Sequence, residues 1–135
     1  MTGPREPTTI PELMASPPDV VLLDRRVEPA QLRRLLGRFE EMVKYVVDVE
    51  RGTIAIGGEM QADAEQVLLE TGSRQADLWG ANYYPGRGRD ACIEYTSLIN
   101  IRPGGGNRGM ELMDPALRAR LREVTFALIG EGEPL

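Results

Sequence analysis

Residues 44–59 constrain the fold more than any other segment. Tyr45, Val47 and Val49 alternate with Lys44, Val46, Asp48 and Glu50, and Ile54, Ile56 and Gly58 alternate with Thr53, Ala55, Gly57 and Glu59. A side-chain period of two is the mark of a strand with one buried face. Arg51-Gly52 between the two runs suits a two-residue hairpin turn. With that turn Glu50 faces Thr53, Val49 faces Ile54 and Asp48 faces Ala55, and both strands send their apolar residues to the same side of the sheet. Val47, Val49, Ile54 and Ile56 are therefore expected in the core, and Asp48 and Glu50 in solvent.

The rest of the chain arranges itself around this hairpin. Val20-Val21-Leu22-Leu23 is a short apolar run that reads as a buried strand. Pro29 suits the first position of a helix, and Leu32, Leu35, Leu36 and Phe39 follow at helical spacing, with Gly37 weakening the end. Ala62 to Thr71 reads as a short helix with Gly72 as its C-cap. Leu78 to Tyr84 reads as a strand, and the 85–90 segment as a loop. Cys92 to Arg102 reads as a long strand, with Ile93, Tyr95, Ile99 and Ile101 on one face, stopped by Pro103. Asp114 caps a last helix that starts at Pro115 and buries Leu117, Leu121, Val124 and Leu128. The expected fold is α+β: an antiparallel or mixed sheet of about five strands, with two main helices and one short helix on one face.

Residues 1–18 carry five prolines and no apolar periodicity, and read as a flexible tail. Residues 19–130 then form a single domain, and 131–135 a frayed end. The chain has 135 residues, 41% of them hydrophobic but only 5% aromatic, so its core must be mainly aliphatic. Histidine is absent, which removes the commonest general base and imidazole metal ligation. The one cysteine, Cys92, excludes an internal disulfide and a cysteine-based zinc site; with no histidine to activate it, it reads as a small buried hydrophobe. No apolar segment resembles a signal peptide or a membrane span, which points to the cytoplasm. The net charge of −5 argues against a nucleic-acid partner.

Three groups of residues are candidate sites. Between Glu40 and Asp77 there are nine acidic and three basic side chains, a local charge of −6. Within it, Asp48, Glu50 and Glu59 project from one face of the expected hairpin, and Asp63 can fold back toward Glu59. Hard cations such as calcium take several oxygen ligands with surplus negative charge. An ordinary solvated acidic face, with Lys44 paired to Glu59, is the plain alternative. An EF-hand is excluded: Gly52 and Thr53 fall at loop positions 5 and 6, where a ligand and an obligatory glycine belong, and the flanks are strands. The second group is Arg102-Pro103-Gly104-Gly105-Gly106-Asn107-Arg108, where exposed backbone N–H groups and Arg102 and Arg108 could hold an anion; three glycines are also simply a turn signal. The third is Trp79 and Asn82 with Ser97 and Asn100, whose amides can bind a ligand or tie strands to loops.

The motifs Val46-Val47-Asp48-Val49-Glu50, Gly57-Gly58-Glu59, Ala62-Asp63, Asp77-Leu78-Trp79-Gly80-Ala81-Asn82, Ser97-Leu98-Ile99-Asn100-Ile101-Arg102-Pro103 and Gly106-Asn107-Arg108 give the chain a resemblance. It resembles a family of small prokaryotic proteins of unknown function, over roughly Val20 to Ile129. That resemblance implies an α+β fold and, through an archaeal relative, calcium binding, with ligands drawn from Asp48, Glu50, Glu59 and Asp63. Gln61 stands where relatives are expected to carry histidine, a difference that leaves an oxygen-preferring ion unaffected.

The expected function is thus that of a small soluble protein binding a divalent cation, Ca2+, through its acidic cluster without catalysis. One alternative is a protein-interaction module or homo-oligomer (a homodimer) that uses a sheet face and the Gly-rich loop. Another is a metal-assisted hydrolase built on the same carboxylates.

Overall fold

The computed structural model describes residues 20–36 and 41–135. The proline-rich segment 1–18, and Gly37 and Phe39 at the end of the first expected helix, lie outside the described residues.

Five strands form one antiparallel sheet in the order β1-β3-β2-β4-β5. They are β1 (Val21–Leu23), β2 (Val43–Asp48), β3 (Thr53–Ile56), β4 (Leu78–Tyr83) and β5 (Ile93–Glu94). Three α-helices accompany them: α1 (Pro29–Leu36), α2 (Gln61–Glu70) and α3 (Pro115–Leu128). The α+β class and the five-stranded sheet are as the sequence led us to expect. The helices, expected together on one face, divide between the two. Leu32 of α1 and Leu121, Val124 and Leu128 of α3 join Tyr45, Val47, Ile54 and Ile56 in the larger core. On the opposite face Ala64 and Leu68 of α2 cover Val46, Ala55 and Leu78, with Ile99 packed beside them.

The hairpin forms, with a register two residues away from the expected one. Asp48 pairs with Thr53, Val47 with Ile54 and Tyr45 with Ile56, so the loop is Val49–Gly52. A slip of two preserves the face of every residue, and Val47, Ile54 and Ile56 are fully buried as expected. The longer loop has a local cause. Asp48 Oδ1 accepts the N–H groups of Glu50 (3.0 Å) and Arg51 (2.9 Å), Asp48 O accepts Gly52 N–H (2.8 Å), and Gly52 takes φ +71°, where glycine is at ease.

Asp48 itself is completely buried, contrary to expectation. It does lie on the face opposite Val47, but α2 covers that face. Its remaining oxygen, Oδ2, accepts the Ser73 hydroxyl at 2.6 Å just past the end of α2. A buried carboxylate is tolerable because its acceptors are filled.

The expected long strand Cys92–Arg102 ends after two residues. Thr96 bridges Glu111, and Leu98–Asn100 turns into a short 3-10 helix capped by Ser97, whose Oγ accepts Ile99 N–H at 3.3 Å. Local side-chain bonds from Ser and Asn compete with the strand ladder and win here. α3 starts where expected: Pro115 is its first residue, and Asp114 Oδ1 accepts the N–H groups of Ala116 and Leu117. Beyond it, residues 131–133, read from sequence as a frayed end, are bonded. Gly132 N–H donates to Tyr83 Oη at 2.8 Å, and Gly86 N–H reaches the carbonyls of Gly132 and Glu133.

Candidate functional site

The motif residues gather on the second face of the sheet and along the open edge of β4. There α2 lies across Val46, Ala55 and Leu78 and is tied at both ends. Gln61 Nε2, in its first turn, donates to Asn82 Oδ1 (2.8 Å) and Ala81 O (3.3 Å), and Ser73, beyond its last turn, holds Asp48. Asn82 passes the link outward: its Nδ2 donates to Glu94 Oε1 at 2.8 Å, which also accepts the Tyr84 hydroxyl at 3.0 Å.

Because β5 is so short, the Leu78–Ala81 edge has no strand partner on that side. Side chains replace it. Asn100 Oδ1 accepts Gly80 N–H (2.8 Å) while its Nδ2 donates to Gly80 O (3.0 Å), and Arg102 donates from Nη2 to Leu78 O. Arg102 also donates to Ile99 O (3.1 Å) and Gln75 O (2.9 Å), and its guanidinium lies 4.1 Å over the Trp79 ring. Asn107, nearly buried, gives Nδ2 to the carbonyls of Asn100, Gly109 and Glu111 and accepts Met113 N–H on Oδ1. Gly80 must lack a side chain, because a Cβ there would stand 2.6 Å from Ser97 Cβ and Oγ. The amides of Asn82, Asn100 and Asn107 and the Arg102 guanidinium thus spend their hydrogen bonds inside the fold. Arg108 is exposed beside them.

The four carboxylates expected to share a cation are distributed as follows. Asp48 sits under the end of α2, Glu50 is exposed in the β2–β3 turn, Glu59 is exposed between β3 and α2, and Asp63 lies in the first turn of α2. With 10 residues in α2, its two ends are about 15 Å apart, which separates Asp48 from Asp63. Among the described residues no three His, Cys, Asp or Glu side chains form a group that could hold a metal ion. Asp63 does lie against the Gly58 backbone: a Cβ on Gly58 would meet Asp63 Oδ2 at 3.6 Å.

Between the start of α2, the Asn82 end of β4 and the 96–110 segment lies a groove of about 290 Å³. Met42, Met60, Met110, Leu98 and Ile99 supply its apolar walls, and Lys44, Gln61, Asn82, Thr96 and Ser97 its polar lining. Met60 (51% exposed), Leu98 (60%) and Met110 (43%) stand open to solvent at its rim. Among the described residues no activated nucleophile faces it: Ser97 Oγ caps the 3-10 turn, and Cys92 is buried in the other core, where burial raises its thiol pKa. Sequence reasoning found Asn82, Ser97 and Asn100 but not the methionines, which are far apart in the chain and carry no period.

Fold and groove together define a small α+β domain with helices on both sheet faces and an open apolar cleft beside its second core. Residues 21–128 match DUF5674, a family described only as protein of unknown function, and the chain belongs to that family. No curated protein and no solved structure matches it. Among the described residues no helix is long and apolar enough to cross a membrane.

Proposed function

We propose that this domain is a protein-interaction module whose methionine-walled groove takes apolar side chains from a short segment of a partner protein, flanked in that partner by Lys or Arg. The observation that carries the reading is the cluster of half-exposed Met60, Leu98 and Met110 around one cleft. Exposed apolar clusters with a polar rim mark contact sites, and methionine adapts its shape to more than one apolar guest. The basic flanks follow from charge: Glu59 and Asp63 bracket the groove residues Met60, Gln61 and Ala62 in the chain, within the stretch that carries −6, against Lys44 as the one charged side chain among the described lining residues. Complementary charge of that kind speeds and orients association.

The experiment is methyl NMR on the full chain with two model peptides, Leu-rich and flanked by either lysines or glutamates. Saturable shifts of Met42, Met60, Met110 and Leu98 methyls with the basic peptide, weaker with the acidic one and lost in Leu98→Asp/Met110→Asp, support the reading. Equal responses to both peptides, or none, overturn it. Shifts that depend on protein concentration alone would make a second copy of the chain the guest instead.

A calcium-binding reading rests on Glu59 and Asp63 together with backbone oxygens of the Gly57-Gly58 turn, favoured by the approach of Asp63 to Gly58. Saturable amide shifts over 57–63 with calcium, absent with sodium chloride at matched ionic strength, support it; identical responses to both salts reject it.

A further inference from the structure

The opposite side of the molecule carries a second hollow, of about 540 Å³, between α3 and β5. Arg118 and Arg122, one helical turn apart, line it together with Arg89 from the loop after β4, and Ile93, Tyr95 and Met113 supply apolar surface. The arginines are oriented by aromatic rings. The Arg118 guanidinium lies 4.0 Å over Tyr95 and donates to Leu112 O at 3.0 Å. Arg89 and Arg122 share the Phe126 ring, at 4.8 and 5.3 Å from its centroid. Stacking fixes the plane of a guanidinium while leaving its edge N–H groups free to donate, which pre-organises a planar fork for oxyanions.

The counter-charges, Asp90, Glu111 and Glu131, are all solvent-accessible. Among the described residues Asp90 is the one acidic side chain lining the hollow. Arg118 pairs with Glu111 and Arg89 with Glu131, both at exposed positions where an ion can exchange for a carboxylate. Among the described residues Arg122 has no carboxylate partner. Three cations around a cavity that also presents Tyr95, Ile93 and Met113 fit a ligand with a compact oxyanion at one end and an apolar or aromatic body at the other.

We propose that this hollow binds a phosphorylated small molecule with an aromatic or apolar body, its phosphate held by Arg89, Arg118 and Arg122 and its body laid against Tyr95 and Met113. Phenyl phosphate, inorganic phosphate and phenol are the probes, titrated into the full chain at constant ionic strength while arginine Nε–H and Tyr95 ring signals are followed by NMR. Phenyl phosphate should bind saturably and at least about tenfold more tightly than inorganic phosphate, with phenol weaker than either. Arg122→Gln should weaken phenyl phosphate about tenfold, the effect of one lost charge-assisted bond, with Arg122→Lys in between. Arg122 is exposed, so an unchanged far-UV spectrum and melting temperature should accompany the loss. The proposal is overturned if matched sodium chloride reproduces the shifts, if phenol binds as well as phenyl phosphate, or if Arg122→Gln binds phenyl phosphate like the unaltered chain.

Discussion

Asn100 pairs with Gly80 as a neighbouring strand would: one side-chain amide satisfies both the N–H and the C=O of Gly80, at 2.8 and 3.0 Å. Asn100→Ala would orphan both groups in a buried setting, at about 1–3 kcal/mol for each. We expect a loss of roughly 3 kcal/mol in urea unfolding. Asn100→Asp should be worse, since it turns a carboxylate toward the Gly80 carbonyl. A change below about 1 kcal/mol in either variant would mean that water or another group serves Gly80 equally well.

Asp48 is the second buried polar anchor. Asp48→Ala removes the acceptor for Glu50 N–H, Arg51 N–H and the Ser73 hydroxyl, bonds to a charged acceptor worth about 1.5–3 kcal/mol apiece before compensation by water at the exposed turn. A net loss of about 3 kcal/mol is expected, and about 1 kcal/mol for Ser73→Ala. A double-mutant cycle should return a coupling near the Ser73 value; additive losses would show that the two residues act separately.

Tyr45 makes the fold sensitive to alkali. Thr125 Oγ1 donates its only proton to Leu121 O at 2.8 Å, so the 2.8 Å contact with Tyr45 has the tyrosine as donor. Burial raises the Tyr45 hydroxyl well above its ordinary pKa, and burial also raises Tyr83. A folded-state pKa above the unfolded one means the stabilising contribution is whole below about pH 10 and falls away as pH climbs past it. Far-UV ellipticity and the Tyr45 ring signals in NMR should therefore change together, above pH 10. Tyr45→Phe should move that transition to higher pH. Ionisation of the Tyr45 ring near pH 10 with ellipticity intact would contradict the burial; Tyr84 and Tyr95, half-buried, can ionise in the folded chain without bearing on it.

The C-terminal residues are structural. Ending the chain at Gly130 deletes the Gly132 N–H bond to Tyr83 Oη and the two carbonyls that accept Gly86 N–H. The Gly88 N–H bond to Gly132 O goes as well, so at about 1 kcal/mol per group that loses its partner the truncated chain should lose roughly 3 kcal/mol. An unchanged urea midpoint would restore the view of 131–135 as a loose end.

Periodicity exposed the hairpin because alternation sorts residues by face, and a register error of two leaves that sorting intact. It did not reveal whether the second face is covered. The uninterrupted Tyr45-Val46-Val47 run carried that information, since apolar residues on both faces mark a strand buried on both sides. Read so, it would have placed Asp48 beneath a helix. Ile93, Tyr95, Ile99 and Ile101 imitate a strand, but Ser97 and Asn100 bond locally and to Gly80, and propensity is overruled by those contacts. Among the site residues, Asn82, Asn100 and Arg102 were visible as a polar motif. Their inward use, and the groove that Met42, Met60 and Met110 build from three separate segments, depend on contacts that no local pattern encodes.

The two ties on α2 also set how the molecule comes apart. With Gln61 bound to Asn82 at one end and Ser73 to Asp48 at the other, the helix cannot fray from a terminus without first breaking a buried link. Its core is the smaller of the two. Detachment of α2 as one unit, with β2, β3 and α3 left in place, is then the sub-global opening we expect of this part of the fold. In hydrogen exchange the α2 amides should lose protection together, well before those of β2. Met60 and Gln61 travel with that helix, so the population of the detached state sets how often the groove is dismantled.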